Sequence, residues 1–146
     1  MPRILIIITG SVAAYKALDL ISELQDHSYD ISVIQTKSAQ NFISKTEIER
    51  LINKEVHDNL WSQDEALLMH HINLTRENDY VLVYPLTADF LNKVASGYAD
   101  NLALATILAS DKKILFMPAM NSKMYNNHIT QENIKKLKKQ GHIFLG

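Results

Sequence analysis

The chain opens on an unbroken apolar run, Ile4-Leu5-Ile6-Ile7-Ile8, closed by Thr9-Gly10. β-Branched residues without polar alternation mark a strand covered on both faces, as parallel strands between helices are, and the pattern predicts a strand over Ile4–Thr9. Beyond Gly10-Ser11 the period changes. Val12, Ala13, Tyr15, Ala17, Leu18, Leu20, Ile21 and Leu24 recur at helical spacing, predicting a helix capped by Ser11 that ends near Asp26-His27. Short apolar runs predict further strands at Ile31–Thr36, Tyr80–Tyr84, Ile114–Met117 and His142–Leu145. Helical candidates fall between them at Ala39–Ile43, Lys45–Asn53, Thr87–Ala95, Asn101–Ala109 and Thr130–Gln140. The gaps between strands are long enough for helical crossovers, so the alternation predicts an α/β fold: a doubly wound parallel sheet in three layers, most simply in the strand order 2-1-3-4-5. Lys54 to Thr75 is the least regular stretch; it holds His57, Trp61, His70 and His71 in a polar setting suited to a functional loop.

Length and composition narrow this picture. Domains run to roughly 100–200 residues, and the 146 here predict one domain, 1–146, with no separate substrate module. The formal net charge of −1 supplies no global field toward nucleic acid or an anionic membrane, so neither is expected as a partner. The sequence contains no cysteine, which excludes a disulfide framework, a thiolate zinc site, an iron–sulfur cluster and a thiol nucleophile within it. No metal site is expected, and the cysteine usage is that of a cytoplasmic protein. The five-residue apolar block after Arg3 is too short for a secretion signal. Nowhere is there the apolar stretch of roughly 20 residues that spans a bilayer.

In doubly wound sheets, ligands bind beyond the carboxyl ends of the strands, where the strand order reverses. The residues predicted there are small, hydroxylic or amidic: Thr9-Gly10-Ser11-Val12-Ala13, Thr36-Lys37-Ser38, Pro85-Leu86-Thr87-Ala88-Asp89 and Pro118-Ala119-Met120-Asn121. Gly10 permits close backbone approach, and Ser11 with the following N–H groups can receive a phosphate. A tight turn with a cap explains the same two residues. Neither Gly-x-Gly-x-x-Gly nor a Walker-type Gly-Lys-Ser/Thr loop is present. Thr36 also stands where an NAD site would want an acid for the ribose, and with Ser38 it can donate to a phosphate instead, favouring a mononucleotide.

Taken together, Gly10-Ser11-Val12-Ala13-Ala14-Tyr15-Lys16, Thr36-Lys37-Ser38-Ala39 with Phe42, His71-Ile72-Asn73-Leu74, Pro85-Leu86-Thr87-Ala88-Asp89, Ala99-Asp100-Asn101-Leu102 and Pro118-Ala119-Met120-Asn121-Ser122-Lys123-Met124-Tyr125 resemble the successive motifs of the FMN-dependent cysteine decarboxylases. The likeness is strongest to the phosphopantothenoylcysteine decarboxylase branch and runs, in order, from Arg3 to about Gly141. It implies a flavodoxin-like fold and FMN as cofactor. Gly10, Ser11, Val12, Thr36 and Ser38 would lie at the phosphate and ribityl chain, and Thr87, Ala88 and Asp89 near the flavin. His71 would be the active-site base and Asn121 the holder of the substrate carboxylate. A small cysteinyl substrate, a carboxy-lyase activity in coenzyme A biosynthesis, and a homotrimer or assembly of trimers with the site between subunits follow from the same likeness. A flavin prenyltransferase, the other enzyme type on this scaffold, fits the Pro-Ala-Met-Asn block and His71 less well.

The residues agree with those roles. Histidine titrates near neutral pH and suits proton transfer, although His70 beside it has the same chemistry. Asn121 offers donors without charge, which orients a carboxylate that must depart as neutral carbon dioxide; a turn or a helix cap is its other reading. Met120 and Met124 suit a pocket or core filling equally, and the lysines at 135, 136, 138 and 139 suit a helix C-terminus.

Two departures qualify the likeness. The family's Pro-x-Ser/Thr-Ala-Asn-Thr here reads Pro85-Leu86-Thr87-Ala88-Asp89-Phe90, which brings a carboxylate toward the flavin and disfavours its anionic reduced form unless Asp89 is protonated or paired. The decarboxylases also carry a C-terminal segment that covers the substrate and supplies a cysteine, whereas this sequence stops at Gly146 and has none. Three expectations therefore stand side by side: one domain of a longer protein, oxidative decarboxylation alone, or an FMN-binding relative with a regulatory task or another cysteinyl substrate.

Overall fold

The computed structural model describes residues 1–58, 69 and 73–146. Five parallel strands form one sheet: β1 (Arg3–Ile8), β2 (Asp30–Gln35), β3 (Tyr80–Leu86), β4 (Ile114–Pro118) and β5 (Ile143–Phe144), in the order β2-β1-β3-β4-β5. This is the expected flavodoxin-like order, with its reversal between β1 and β3.

The unbroken apolar run of β1 has a direct cause. Successive side chains of a strand point to opposite faces, and here each face meets its own core. Ile4, Ile6 and Ile8 pack with Ala17 and Ile21 of α1 (Lys16–Asp26) and Ile48 and Ile52 of α2 (Lys45–Ile52). Leu5 and Ile7 pack on the other side with residues of α4 (Ala88–Ala95), α5 (Leu102–Leu108) and α7 (His128–Lys139). A short α3 (Leu74–Glu77) adds Leu74 to that second core, and α6 (Ser122–Asn126) lies beyond β4. Burying each large aliphatic side chain contributes roughly 1.5–3 kcal/mol, so both layers hold the sheet.

Four local differences from the sequence pattern have physical reasons. Val12–Tyr15 is a single 3-10 turn and α1 proper starts at Lys16, with Ser11 Oγ accepting from Ala13 N–H at 3.1 Å as the cap of that turn. Ala39–Ile43 is likewise only a 3-10 turn, over Ser38–Asn41, because the chain must at once present Ser44 as the N-cap of α2. β3 continues past Tyr84 through the cis Tyr84–Pro85 peptide to Leu86, with a register shift against β4 between Val83 and Leu86. The last helix begins at His128 rather than Thr130, and α6 precedes it. Residues 121–129 are all exposed, so no apolar periodicity announces either start. No helix among the described residues is long and apolar enough to cross a membrane.

Candidate functional site

The carboxyl ends of β1, β2 and β3 open onto a cleft of ≈ 290 Å³. Its floor is tied together by Thr9, which is buried: the hydroxyl donates to the Pro85 carbonyl and accepts from the Thr87 N–H at 3.3 Å. This clip joins the ends of β1 and β3, the two strands between which the order reverses. A hydroxyl closing an apolar strand must find partners when buried, so its position after Ile8 was a usable sign, though the sequence reading gave Thr9 no role.

Gly10 comes next and faces the loop after β2. A Cβ placed on Gly10 would lie 2.4 Å from Ser38 Oγ, 2.6 Å from its Cβ and 2.9 Å from its backbone carbonyl carbon. Glycine is therefore required here by the approach of the two loops. In that second loop Thr36 is buried, and its Oγ1 lies 3.3 Å from Ser38 Oγ and accepts from Ala39 N–H at 3.3 Å. Ser38 is exposed, which leaves its hydroxyl accessible to a ligand. Across the cleft, Thr87 Oγ1 accepts from Phe90 N–H at 3.1 Å and so starts α4 at the cleft wall.

The charges at the cleft are balanced except at one place. Asp89, largely exposed, pairs with Lys93 one helical turn on at 3.3 Å. Asp58 pairs with Lys45 at 3.5 Å and accepts from Gln40 Nε2 at 3.0 Å. Lys37, exposed on the cleft edge, has no ion pair among the described residues and supplies the surplus positive charge. Phe90, the other residue that departs from the resembled motif, is buried in the core cluster that also holds Leu91, Leu102 and Phe116, and it lines the cleft as well.

Of the residues picked out from sequence, Gly10, Thr36, Ser38, Thr87 and Asp89 line this cleft. Ser11, Val12, Ala88 and Asn121 do not. Ser11 caps the turn, Val12 is 75% exposed, and Ala88 is buried in the first turn of α4. Asn121 follows β4, next to β3 in the sheet; its Oδ1 accepts from Met124 N–H at 2.8 Å as the N-cap of α6, while its amide N–H groups make no hydrogen bond among the described residues. The cap reading of Asn121 thus holds, and the donors that would reach a carboxylate remain accessible because the residue is exposed. His71, like His70 and Ile72, lies outside the described residues. Among the described residues, no group of three or more His, Asp or Glu could hold a metal ion. Gln35, Lys37, Asp58 and Lys93 line the cleft without having been assigned a role; Lys37 and Gln35 flank Thr36, the nearest sign of them.

The profile of the family described as Flavoprotein matches residues 1–146. A Streptococcus mutans protein named "Probable phosphopantothenoylcysteine decarboxylase" is 39% identical over 142 residues, covering 96% of this chain and 79% of that protein. The coenzyme A biosynthesis bifunctional protein CoaBC of Vibrio vulnificus is 36% identical over 139 residues, covering 95% of this chain; the chain spans 35% of the length of that relative. Among solved structures, a PPC decarboxylase variant complexed with pantothenoylaminoethenethiol superimposes with a TM-score of 0.80 at 31% identity, covering 99% of this chain and 81% of that one. The FMN-dependent cysteine decarboxylase TvaF from thioviridamide biosynthesis gives a TM-score of 0.90 at 25% identity, covering 99% and 90%.

Proposed function

The chain belongs to the Flavoprotein family, and from that membership we propose that it binds FMN in the cleft beyond β1, β2 and β3 and decarboxylates phosphopantothenoylcysteine to phosphopantetheine. The observation that carries the reading is the convergence of Gly10, Thr36, Ser38, Thr87 and Asp89, drawn from three separate strand ends, on one cleft whose only unpaired charge among the described residues is the Lys37 ammonium. Such a cleft suits a monoanionic or dianionic ligand bearing hydroxyls. Relatives named as decarboxylases of this substrate, and a neighbour named as FMN-dependent, support the same reading.

The residues fit the cofactor. Ser38 Oγ and Lys37 Nζ can hold its phosphate, with Thr36 fixing the loop that presents them. Gly10 keeps the two loops close, and Thr87 sets the start of α4 at the wall where Asp89 is answered by Lys93. That ion pair meets the objection raised by an acid at position 89: its charge is both paired and solvated. When bound, the flavin supplies a two-electron acceptor for the cysteinyl group of the substrate, so that carbon dioxide leaves from an oxidised substrate. Asn121 orients the departing carboxylate through its amide N–H groups, and a neutral donor does not anchor the ground state as a cation would. His71 accepts the proton that the substrate gives up, a task suited to a group titrating near neutral pH.

A homo-oligomer, most simply a trimer or an assembly of trimers, completes the site. Two features support it. The cleft lies at the lower edge of the roughly 300–1,000 Å³ of a small-molecule site, so one subunit walls only part of the cofactor and substrate. Val12, Tyr15, Met124 and Tyr125 expose apolar surface just beyond the carboxyl ends of β1 and β4. The enzyme would act in the cytoplasm on this small cysteinyl substrate, without nucleic acid or membrane as partner.

A second reading is an FMN-binding subunit with a regulatory task. Anaerobic incubation with phosphopantothenoylcysteine separates the two. Phosphopantetheine and carbon dioxide with the flavin returned oxidised support the complete reaction. Carbon dioxide with bleached flavin and an oxidised enethiol product means that oxidative decarboxylation is the whole activity, and retained flavin with no carbon dioxide supports the regulatory reading.

A further inference from the structure

Gln35 is the last residue of β2 and is 1% exposed. Its backbone N–H donates to the His57 carbonyl at 2.9 Å, and its side-chain Nε2 donates to the Ile43 carbonyl at 2.8 Å. The second bond fixes the direction of the amide. Turned over, the side chain would set Oε1 against the Ile43 oxygen, two acceptors with no proton between them. The remaining Oε1 is buried and has no hydrogen-bond partner, the one such side-chain atom among the described residues. Gln35 is also one of the residues lining the cleft, as Gly10 and Thr36 are.

A buried carbonyl without a donor is disfavoured, and an apolar side chain of similar length would occupy the place without that cost. A donor supplied by the occupant of the cleft removes the penalty. Phosphate oxygens are acceptors and cannot serve, whereas the hydroxyls of a polyol chain can. Gln35 immediately precedes Thr36, at the start of the loop that brings Ser38 against Gly10.

We propose that Gln35 Oε1 accepts a hydrogen bond from a ribityl hydroxyl of the bound flavin mononucleotide and thereby makes the site select a polyol-bearing flavin over a bare isoalloxazine. The proposal rests on the FMN reading above. Quenching of flavin fluorescence, titrated with FMN and with lumiflavin, tests it on the wild-type chain and on Gln35→Met. FMN affinity is expected to fall roughly tenfold or more in the variant, with lumiflavin affinity unchanged, while the flavin-free melting temperature falls modestly because the Ile43 carbonyl loses its donor. Equal losses for both flavins would overturn the proposal, since lumiflavin keeps the ring donors and lacks the polyol. No loss for either would overturn it as well, leaving a water as the donor. A wild-type chain that binds neither flavin would sink the FMN reading and this proposal together, whereas wild-type binding with an indifferent variant sinks this proposal alone. FMN analogues lacking single ribityl hydroxyls need no variant: one of them should lose the same factor on the wild-type chain, and equal binding of all of them contradicts the assignment.

Discussion

Gly10 and Ser38 stand so close that a methyl group on Gly10 would overlap the Ser38 hydroxyl at 2.4 Å and press on its backbone carbon at 2.9 Å. The first contact could be relieved by a side-chain rotation; the second needs the loop to move. Gly10→Ala is therefore expected to displace the turn after β2, lowering stability by about 1–3 kcal/mol and flavin affinity at least tenfold. Thermal denaturation and flavin titration check both. Because the backbone contact remains, adding Ser38→Gly to Gly10→Ala should recover only part of the loss, and full recovery would show that the side chain alone set the distance.

Asn121 caps α6 with Oδ1 alone, and aspartate caps a helix as well as asparagine does. Asn121→Asp should keep the fold and the bound flavin while setting a negative charge against the substrate carboxylate. Turnover is expected to fall roughly 10²-fold or more with the melting temperature nearly unchanged. His71→Asn should do likewise, as loss of a positioned proton acceptor commonly costs roughly 10²–10⁴-fold. Steady-state assays with flavin content measured in parallel would show it, and wild-type turnover in both variants would refute the site assignment.

The Asp89–Lys93 pair is solvent-facing, and such pairs are worth roughly 0–1 kcal/mol. Lys93→Met should scarcely move the melting temperature, yet it leaves the Asp89 carboxylate unanswered at the cleft. The reduction potential of the bound flavin should then become more negative, and Asp89→Asn in the same chain should restore it. Equilibrium photoreduction against a reference dye would detect the shift.

Far from the cleft, His142 accepts from Ile114 N–H at 3.0 Å through Nδ1 and sets its ring edge-on to Phe116, 5.7 Å between centroids. Burial lowers its pKa below the ordinary 6.5. The folded chain then binds this proton less readily than the unfolded chain, and stability rises with pH wherever the unfolded chain holds more protons. The contribution is complete above about pH 6.5 and is lost as the pH falls from there toward the lower folded value. Melting temperatures from pH 8 to pH 5 should therefore fall more steeply for wild type than for His142→Gln, and parallel curves would contradict the assignment.

The legibility of these features in the sequence follows from where their causes lie. β1 could be read because both its faces are covered, so that the chain shows Ile4 to Ile8 without a polar break. The start of α6 and of α7 could not be read from apolar spacing, since residues 121–129 are exposed; only Asn121 and Asn127, both caps, betray them. At the cleft, Gly10, Thr36 and Thr87 were visible as strand-end residues, whereas the state of Gln35 depends on Ile43 and His57, which reach it through tertiary structure. Asp89 looked electrostatically awkward in sequence because the pairing that relieves it requires Lys93 to lie one helical turn away.

The most direct measurement of the central claim is the identity of what the purified protein releases when it is denatured. The account predicts a yellow protein that yields FMN, without covalent attachment, and that gains thermal stability when excess FMN is added. Release of no flavin, together with neither stabilisation nor fluorescence quenching by added FMN, would contradict it.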